Sequence, residues 1–315
     1  ECRLDPGGYF IINGVEKALI AQERLRTNFP FVFELKGHAK YCLQGEIRSC
    51  HYSKLRSTST LYIYITNAKH GAMPEMLVEL PFMHTRIPVL ALFRLLGTNT
   101  RQEVVRLITG ETNSSHMRLL CGILDNDTTA DMNTAELFEW LGKEATVEPT
   151  REKRQRYLDH IVSNELLPHM GLHNTPPIMA DKAAFLGLMI RKLIRVYTKE
   201  LQADDRDHYS GKRIDPSGMG LLFRQVYRSQ IKAMTLQLYK IKDQGKLQFT
   251  NISTLFNSRR ITNAFRYAFA TGNWGINSVK SPSSAQTGVV QMISRMTVVA
   301  ALSNLRRINT PISRE

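Results

Sequence analysis

The chain has 315 residues, 43% of them hydrophobic and 22% charged. That is close to globular averages, excludes wholesale disorder and leaves room for about two domains. No stretch nears the roughly 18 consecutive apolar residues of a membrane span, and 42 Lys+Arg against 28 Asp+Glu, for a formal charge of +14, favour a polyanionic partner.

The chain starts at Glu1 without a charged-then-apolar leader, and Asn309 to Glu315 is a turn-like ending without a closing element. We therefore expect an unsecreted internal piece of something longer. Asp5-Pro6-Gly7-Gly8 signals a turn, Tyr9 to Ile12 a buried strand, and Asn13-Gly14 a two-residue hairpin turn. Val15 to Gln22 returns as a second strand or leads into a short helix. From Phe29 to Leu80 the pattern is mostly β, with Leu61 to Thr66 β-branched and aromatic. Pro88 to Gly97 suits a short helix, and Thr100-Arg101-Gln102-Glu103 fits a capping box. Residues 111–150 are polar and acidic, suiting short helices and loops. Thr150 to Leu167 is helical, with a basic start, and ends at Pro168. Pro176-Pro177 breaks the chain, and Asp181 is expected to cap a long helix with Leu186, Ile190, Leu193, Ile194, Tyr197 and Leu201 on its apolar face.

Ala203 to Gly218 is a charged, glycine-containing boundary. Ser217 is expected to open another long helix to about Lys242, with Phe223, Val226, Tyr227, Met234, Leu238 and Ile241 as its buried stripe. Arg259 to Ala270 is a further helix, Gly272 to Thr287 a Gly/Ser/Pro-rich loop, and Val289 to Ser303 apolar with sparse charge.

The charge is unevenly placed. Residues 1–190 carry 21 Lys+Arg and 21 Asp+Glu, whereas residues 191–315 carry 21 against 7. From Lys212 to Arg314 the only acids are Asp215 and Asp243, and aromatic residues are interleaved throughout. That is the footprint of a folded surface facing phosphates. Arg224, Arg228 and Lys232 stand four residues apart on one helix, a self-repelling row that points to a nearby anion or, failing that, to a solvated face.

Familiar catalytic patterns are absent. There is no phosphate-binding Gly-x-x-x-x-Gly-Lys-Ser/Thr loop, no dinucleotide-binding glycine pattern and no His-Glu-x-x-His. Cys2, Cys42, Cys50 and Cys121 contain no Cys-x-x-Cys pair, which fits a reducing compartment. His169 with His173, and Cys42 and Cys50 with His51, lack a complete ligand set. Asp204, Asp205 and Asp207 have the chemistry for Mg²⁺, but internal ion pairing is the favoured expectation.

Four segments carry a resemblance. They are Asp5-Pro6-Gly7-Gly8-Tyr9-Phe10-Ile11-Ile12-Asn13-Gly14 with Glu16-Lys17 and Gln22-Glu23-Arg24; Asp204-Asp205-Arg206-Asp207-His208-Tyr209 with Lys212-Arg213; Phe269-Ala270-Thr271-Gly272-Asn273-Trp274-Gly275; and Leu302-Ser303 with Leu305-Arg306-Arg307 and Asn309-Thr310-Pro311-Ile312. In this order they resemble the second-largest, β-like subunit of multisubunit DNA-directed RNA polymerases. Ile20 to Arg24 is most similar to the RNA polymerase II form or a large DNA virus relative. Ser313 stands where the family has glycine, and little aligns between Phe29 and Glu200, which favours a divergent, viral-like lineage.

The resemblance implies an α+β, multi-domain fragment. Residues 1–27 end the first part of a protrusion, 28–203 form an inserted lobe, 204–262 complete the protrusion and 263–315 begin a fork. It implies a role in DNA-templated transcription, with nucleotidyl transfer by the assembled enzyme and no activity in the fragment alone. No catalytic residue, metal or cofactor is expected within it. Mg²⁺ would be held by the largest subunit, and Zn²⁺ by a region downstream. Partners would be template DNA, the RNA–DNA hybrid, the largest subunit and other polymerase subunits, in a nucleus or, for a virus, a viral factory or virion. Arg306, Arg307, Gln291 and Arg295 match the fork motif, Lys280 the first fork loop, and Arg314, with Thr310 and Pro311, the second. Lys212, Arg213, Arg224, Arg228 and Lys232 complete the nucleic-acid-binding set. Trp274 and Tyr9 are expected to pack rather than stack on bases. A stand-alone nucleic-acid-binding protein and a structural remnant are the alternatives.

Overall fold

The computed structural model describes residues 3, 5–51, 58–67, 73–83, 85–98, 100–110, 114–125, 127, 129, 132–146, 150–215, 218–245, 255–274 and 288–310. The fold is α+β. Strands β1 (Phe10–Ile12), β2 (Val15–Leu19), β3 (Ala21–Leu25), β4 (Phe31–Glu34), β5 (Tyr41–Ser49), β6 (Ser59–Thr66), β7 (Met76–Glu79) and β8 (Ile87–Pro88) come first. Helices α1 (Val89–Leu95), α2 (Arg101–Thr109), α3 (Ser114–Asp125), α4 (Thr134–Ala145), α5 (Arg151–His160) and α6 (Pro176–Tyr197) follow. Then come β9 (Lys212–Asp215), α7 (Gly218–Asp243), α8 (Ser258–Thr271), β10 (Val290–Met292), α9 (Val298–Leu305) and β11 (Ile308–Asn309). The chain divides into two compact units, residues 25–211 and residues 1–24 with 212–315.

The 25–211 unit is built on an antiparallel sheet in the order β4-β5-β6-β7-β8. Alternation along β5 and β6 puts Leu43, Ile47, Leu61, Ile63 and Ile65 in the core, in the register Leu43–Ile65, Gly45–Ile63 and Ile47–Leu61. Helix α6 covers this layer with Leu186, Ile190, Leu193 and Ile194. Its Gly187 admits the Leu107 backbone, whose carbonyl oxygen lies 2.7 Å from where a β-carbon would stand. The helix starts at Pro176, five residues before the expected cap at Asp181. Pro176 and Pro177 occupy the first turn, where a missing N–H costs nothing, so the pair opens the helix instead of breaking the chain. Leu201 lies past the helix end and is exposed. Thr100 does cap α2, accepting from the Glu103 N–H at 3.3 Å. The acidic stretch 111–150 yields two helices, α3 and α4, each of 12 residues, longer than expected.

Polar groups in this unit serve the fold. Asp204 accepts from the Val32 N–H at 2.7 Å and from Lys192 Nζ at 2.6 Å, and its own N–H donates to the Val32 carbonyl. Asp207 caps the turn at Ser210 and Gly211. His169 is bonded through Nδ1 to Ser49 Oγ at 2.8 Å. Among the described residues no group of three or more His, Cys, Asp or Glu side chains could hold a metal ion. Cys42, Cys50 and Cys121 are free thiols, and no described helix is long and apolar enough to cross a membrane.

Helix α5 runs into a π-helical turn, Ile161–Glu165. The wider winding breaks the regular bond ladder, and the wholly buried Lys182 of α6 answers it. Its Nζ donates to the Val162 carbonyl at 2.8 Å and lies 3.4 Å from that of Ser163. Burial pushes the Lys182 ammonium down to about 8 from its ordinary 10.5.

The other unit holds two small sheets, β1-β2-β10 and β11-β3-β9. Asn13 and Gly14, both at positive φ, close the β1–β2 hairpin. On one side of the first sheet, Leu222 and Val226 of α7 join Ala268 and Phe269 of α8, Trp274, Val289 and Val290. The Phe269 ring lies 4.8 Å from Phe10 and 5.2 Å from Trp274. Gly272 ends α8 at φ +73°, and the Val290 carbonyl oxygen would lie 2.7 Å from a β-carbon there, so no larger residue fits. A second cluster joins Ala18, Ile20 and Ile293 to Ala301 and Leu305 of α9. The buried stripe of α7 differs from expectation. Leu222, Val226 and Gln230 are buried, while Phe223 and Tyr227 are exposed and Met234, Leu238 and Ile241 half-buried. The period is helical and Val226 is buried as expected, but Leu222 takes the place of Phe223 and Gln230 joins the buried row.

At neutral pH the folded 25–211 unit carries the Lys182 ammonium against its tendency to ionise less readily than in the unfolded chain. Between pH 8 and pH 10.5 the unfolded state keeps a proton that the folded state releases, so stability rises with pH across that window. Urea unfolding followed by Trp140 fluorescence in a Trp274→Phe background should show a rise of about 3 kcal/mol in the wild type that is missing in Lys182→Met. Equal pH slopes in the two proteins would remove Lys182 as the cause.

Candidate nucleic-acid interface

The 1–24 and 212–315 unit carries 19 Lys+Arg against 7 Asp+Glu. The carboxylates that do occur select which cations are held. Arg295, expected at the fork motif, donates to both Glu16 carboxylate oxygens at 2.6 and 3.1 Å and lies 3.5 Å from Asp5. Its guanidinium sits 4.9 Å above the Tyr9 ring. The Glu16 hydrogen bond raises the Arg295 pKa, overcoming the opposing effect of burial. The Tyr9 hydroxyl donates to Asp5 at 2.6 Å, and with the Gly7 N–H it holds the Asp5 carboxyl below its ordinary range. Arg295 is thus a clamp inside the unit, bridging Glu16 and Asp5. Lys212 is similarly engaged, 3.7 Å from the buried Glu23 carboxylate, and Arg24 is 3.1 Å from Asp215.

The rest of the fork motif is assembled differently. Gln291 lies on β10 opposite Ala18 of β2. Its side chain donates to the Gly288 carbonyl at 3.3 Å and accepts from Arg307 Nη1 at 2.8 Å. Arg306 terminates α9, where its N–H bonds the Leu302 and Ser303 carbonyls. Arg306 and Arg307 are both exposed, and Arg306 has no side-chain partner among the described residues. Gln291 and Arg307 therefore meet, with Arg306 beside them in the chain, while Arg295 is drawn to the opposite charge of Glu16. Lys280 and Arg314 lie outside the described residues.

A separate cationic surface lies on α7 and α8. Arg224 is half-buried; Arg228 and Lys232 are exposed. Arg213, on β9, is exposed and donates to the Lys212 carbonyl at 2.7 Å. Arg259, Arg260 and Arg266 of α8 are exposed and were not among the expected site residues. Their signal was present in the acid-free composition of that helix. Trp274 is buried against Phe269, and Tyr9 lies under Arg295, so both pack internally.

Such a surface, on which Arg228, Lys232, Arg259, Arg260 and Arg266 are exposed and make no ion pair among the described residues, is suited to holding polyanions. The family described as "RNA polymerase Rpb2, domain 2" matches residues 26–215. The chain belongs to that family. It is 35% identical over its whole length to DNA-directed RNA polymerase II subunit 2 of Arabidopsis thaliana, covering 26% of that protein. It is 33% identical over its whole length to DNA-directed RNA polymerase II subunit RPB2 of Schizosaccharomyces pombe, again covering 26%. Over 98% of its length it is 31% identical to DNA-directed RNA polymerase subunit Rpo2N of Methanococcus vannielii, covering 58%. The chain thus spans about a quarter of the length of its eukaryotic relatives. The resemblance read from the four motifs is therefore a family relationship.

Arg295 and Arg306 should part company in stability measurements. Arg295→Ala removes the bridge from Glu16 and Asp5 and should lower the melting temperature, whereas Arg306→Ala should leave it unchanged. Thermal denaturation of both variants checks this, and equal melting temperatures would deny Arg295 its clamping role.

Proposed function

We propose that this chain works as a segment of the second-largest subunit of a DNA-directed RNA polymerase, where it helps hold template DNA and the RNA–DNA hybrid during transcription. The similarity of the whole chain to subunits of that enzyme carries the reading. In this assignment residues 28–203 are the lobe, 1–27 with 204–262 belong to the protrusion and 263–315 begin the fork. Nucleotidyl transfer belongs to the assembled enzyme, with Mg²⁺ in the largest subunit and Zn²⁺ in a downstream part of this one, and the fragment alone is inactive. Its partners are the largest subunit and other polymerase subunits, in the nucleus for a cellular enzyme or the viral factory or virion for a viral one.

The work of the segment is positioning. Arg306 and Arg307 approach backbone phosphates, and the Gln291 contact fixes the Arg307 guanidinium before nucleic acid arrives. Contacts to phosphate oxygens set the register of the hybrid without reading its sequence, which a polymerase that copies any template requires. Lys280 and Arg314 act from the two fork loops, and Lys212 and Arg295 support the surface through their carboxylate partners.

In the assembled polymerase, charge reversal by Arg306→Glu with Arg307→Glu should weaken binding to an RNA–DNA hybrid scaffold. The slope of log affinity against log salt should fall by about 1.8, the loss of two phosphate contacts. Hybrid binding and RNA extension unaltered by the double reversal would instead assign these arginines a structural role.

A further inference from the structure

We propose that the cleft formed by β7, β8, α3 and α4 of the 25–211 unit is a docking site for an arginine side chain presented by a protein partner. Trp140 takes the flat face of the guanidinium, and Glu75 and Asp127 take its N–H edge.

The cleft has a volume of about 270 Å³. That suits one side chain and falls below the roughly 300 Å³ at which small-molecule pockets begin. Its floor is apolar, made by Met76 of β7, Val89 of α1 and Ile123 and Leu124 of α3, all buried. Trp140, half-buried, lines it from α4, whose Leu137 and Leu141 are wholly buried and anchor the helix. Two carboxylates also line it. Glu75 is exposed, but its backbone is pinned to the end of β6. Its N–H donates to Thr66 Oγ1 at 2.8 Å, and its carbonyl accepts from the Thr66 N–H at 3.0 Å. Asp127 accepts through Oδ1 alone, from the Thr129 N–H at 2.8 Å and the Thr129 hydroxyl at 2.7 Å. Neither acid makes an ion pair among the described residues.

The same unit shows how it holds an arginine of its own. Arg86 lies 4.8 Å over the Tyr41 ring and 4.4 Å over the Tyr64 ring, and its Nε donates to Glu79 at 2.8 Å. A guanidinium is planar and carries its donors in that plane, so it takes an aromatic face and a carboxylate together. Trp140, Glu75 and Asp127 offer the same two kinds of partner in one cleft, and no cation of the described residues lies over the Trp140 ring. Arg86 lines this cleft too, but Glu79 matches its charge, so the two acids remain in excess.

Charge and shape decide the occupant. A phosphate or an acidic peptide meets the carboxylates of Glu75 and Asp127. A purely apolar group desolvates them without compensation. A lysine ammonium is a compact, strongly hydrated charge and gains less from a flat indole. Free arginine brings its own α-carboxylate to an acidic rim, whereas an arginine within a protein segment does not. The site lies wholly within the 25–211 unit and is independent of the nucleic-acid reading.

Tryptophan fluorescence of the whole 315-residue chain carrying Trp274→Phe, which leaves Trp140 as its one indole, tests the proposal. The probe is the capped tripeptide acetyl-Gly-Arg-Gly-amide. A saturable change in Trp140 emission is expected. The citrulline version, which lacks the charge, should bind about tenfold more weakly and the lysine version about threefold. Free arginine should also bind more weakly than the capped peptide. Glu75→Gln should weaken the arginine peptide about fivefold and leave the melting temperature unchanged, since the carboxylate has no partner among the described residues. A peptide carrying benzoylphenylalanine beside the arginine, photocrosslinked to the unaltered chain and mapped by mass spectrometry, should mark the residues around Glu75, Asp127 and Trp140, and this readout depends on no variant. Equal affinity for the arginine and citrulline peptides, or a silent Trp140 with crosslinks confined to other surfaces, overturns the proposal. A lysine peptide that binds as tightly overturns the choice of arginine, and free arginine that binds as tightly as the peptide overturns the choice of a protein partner.

Discussion

Positive charge in residues 212–315 exceeds what their own carboxylates neutralise, and the 1–24 and 212–315 unit is arranged around that imbalance. The compensating acids come from the other end of the sequence. Glu16 and Asp5 take Arg295, and Glu23 takes Lys212. Folding therefore does more than bury Phe269 and Trp274. It selects, from a long series of cations, those that hold strands together and those that stay facing solvent. The selected pairs lie at the sheets, where β2 and β3 bring Glu16 and Glu23 into reach. Arg228, Lys232, Arg259, Arg260 and Arg266 on the helices α7 and α8, and Arg306 at the end of α9, make no ion pair among the described residues.

The 25–211 unit resolves its charges in the opposite way. Asp204 is bonded to Val32 and Lys192, Asp207 to the turn it caps, and Lys182 to carbonyls freed by a π-helical turn. Its polar groups are turned inward on its own backbone, in keeping with a near-neutral composition. Asp204 spends one carboxylate oxygen on a backbone N–H and an ammonium, and Asp207 caps its own turn, so the acidic cluster serves here as a structural joint.

What was legible in the sequence follows the range of the interactions involved. The Asn13-Gly14 turn, the Thr100 cap and the alternation of β5 and β6 are decided by neighbours a few residues apart, and each was readable. The start of α6 was misplaced because two prolines signal both a break and a first turn, and only the following contacts separate these. On α7 the period and Val226 were right, but Phe223 and Tyr227 were placed in the buried row and are exposed. Phe223 and Tyr227 score as apolar, yet the smaller Leu222, beside the expected Val226, is what fits against α8 and the sheet. Phase depends on which neighbour the helix meets, and that is long-range information.

The same distinction explains the candidate site. Composition located the basic surface, because an excess of cations survives any arrangement of the chain. It could not assign individual roles, since Arg295 and Arg306 differ in sequence only by their distance from acids some 280 to 290 residues away. Arg295 and Arg307, both expected to face nucleic acid, take different partners in the fold, the Glu16 carboxylate for one and the Gln291 side-chain carbonyl for the other. A basic surface of this kind is read in two steps. The sequence counts the charges available, and the fold removes those committed to its own carboxylates. Here the remainder is concentrated on the helices α7 and α8 and at the end of α9, away from the sheet residues Glu16 and Glu23 that take Arg295 and Lys212.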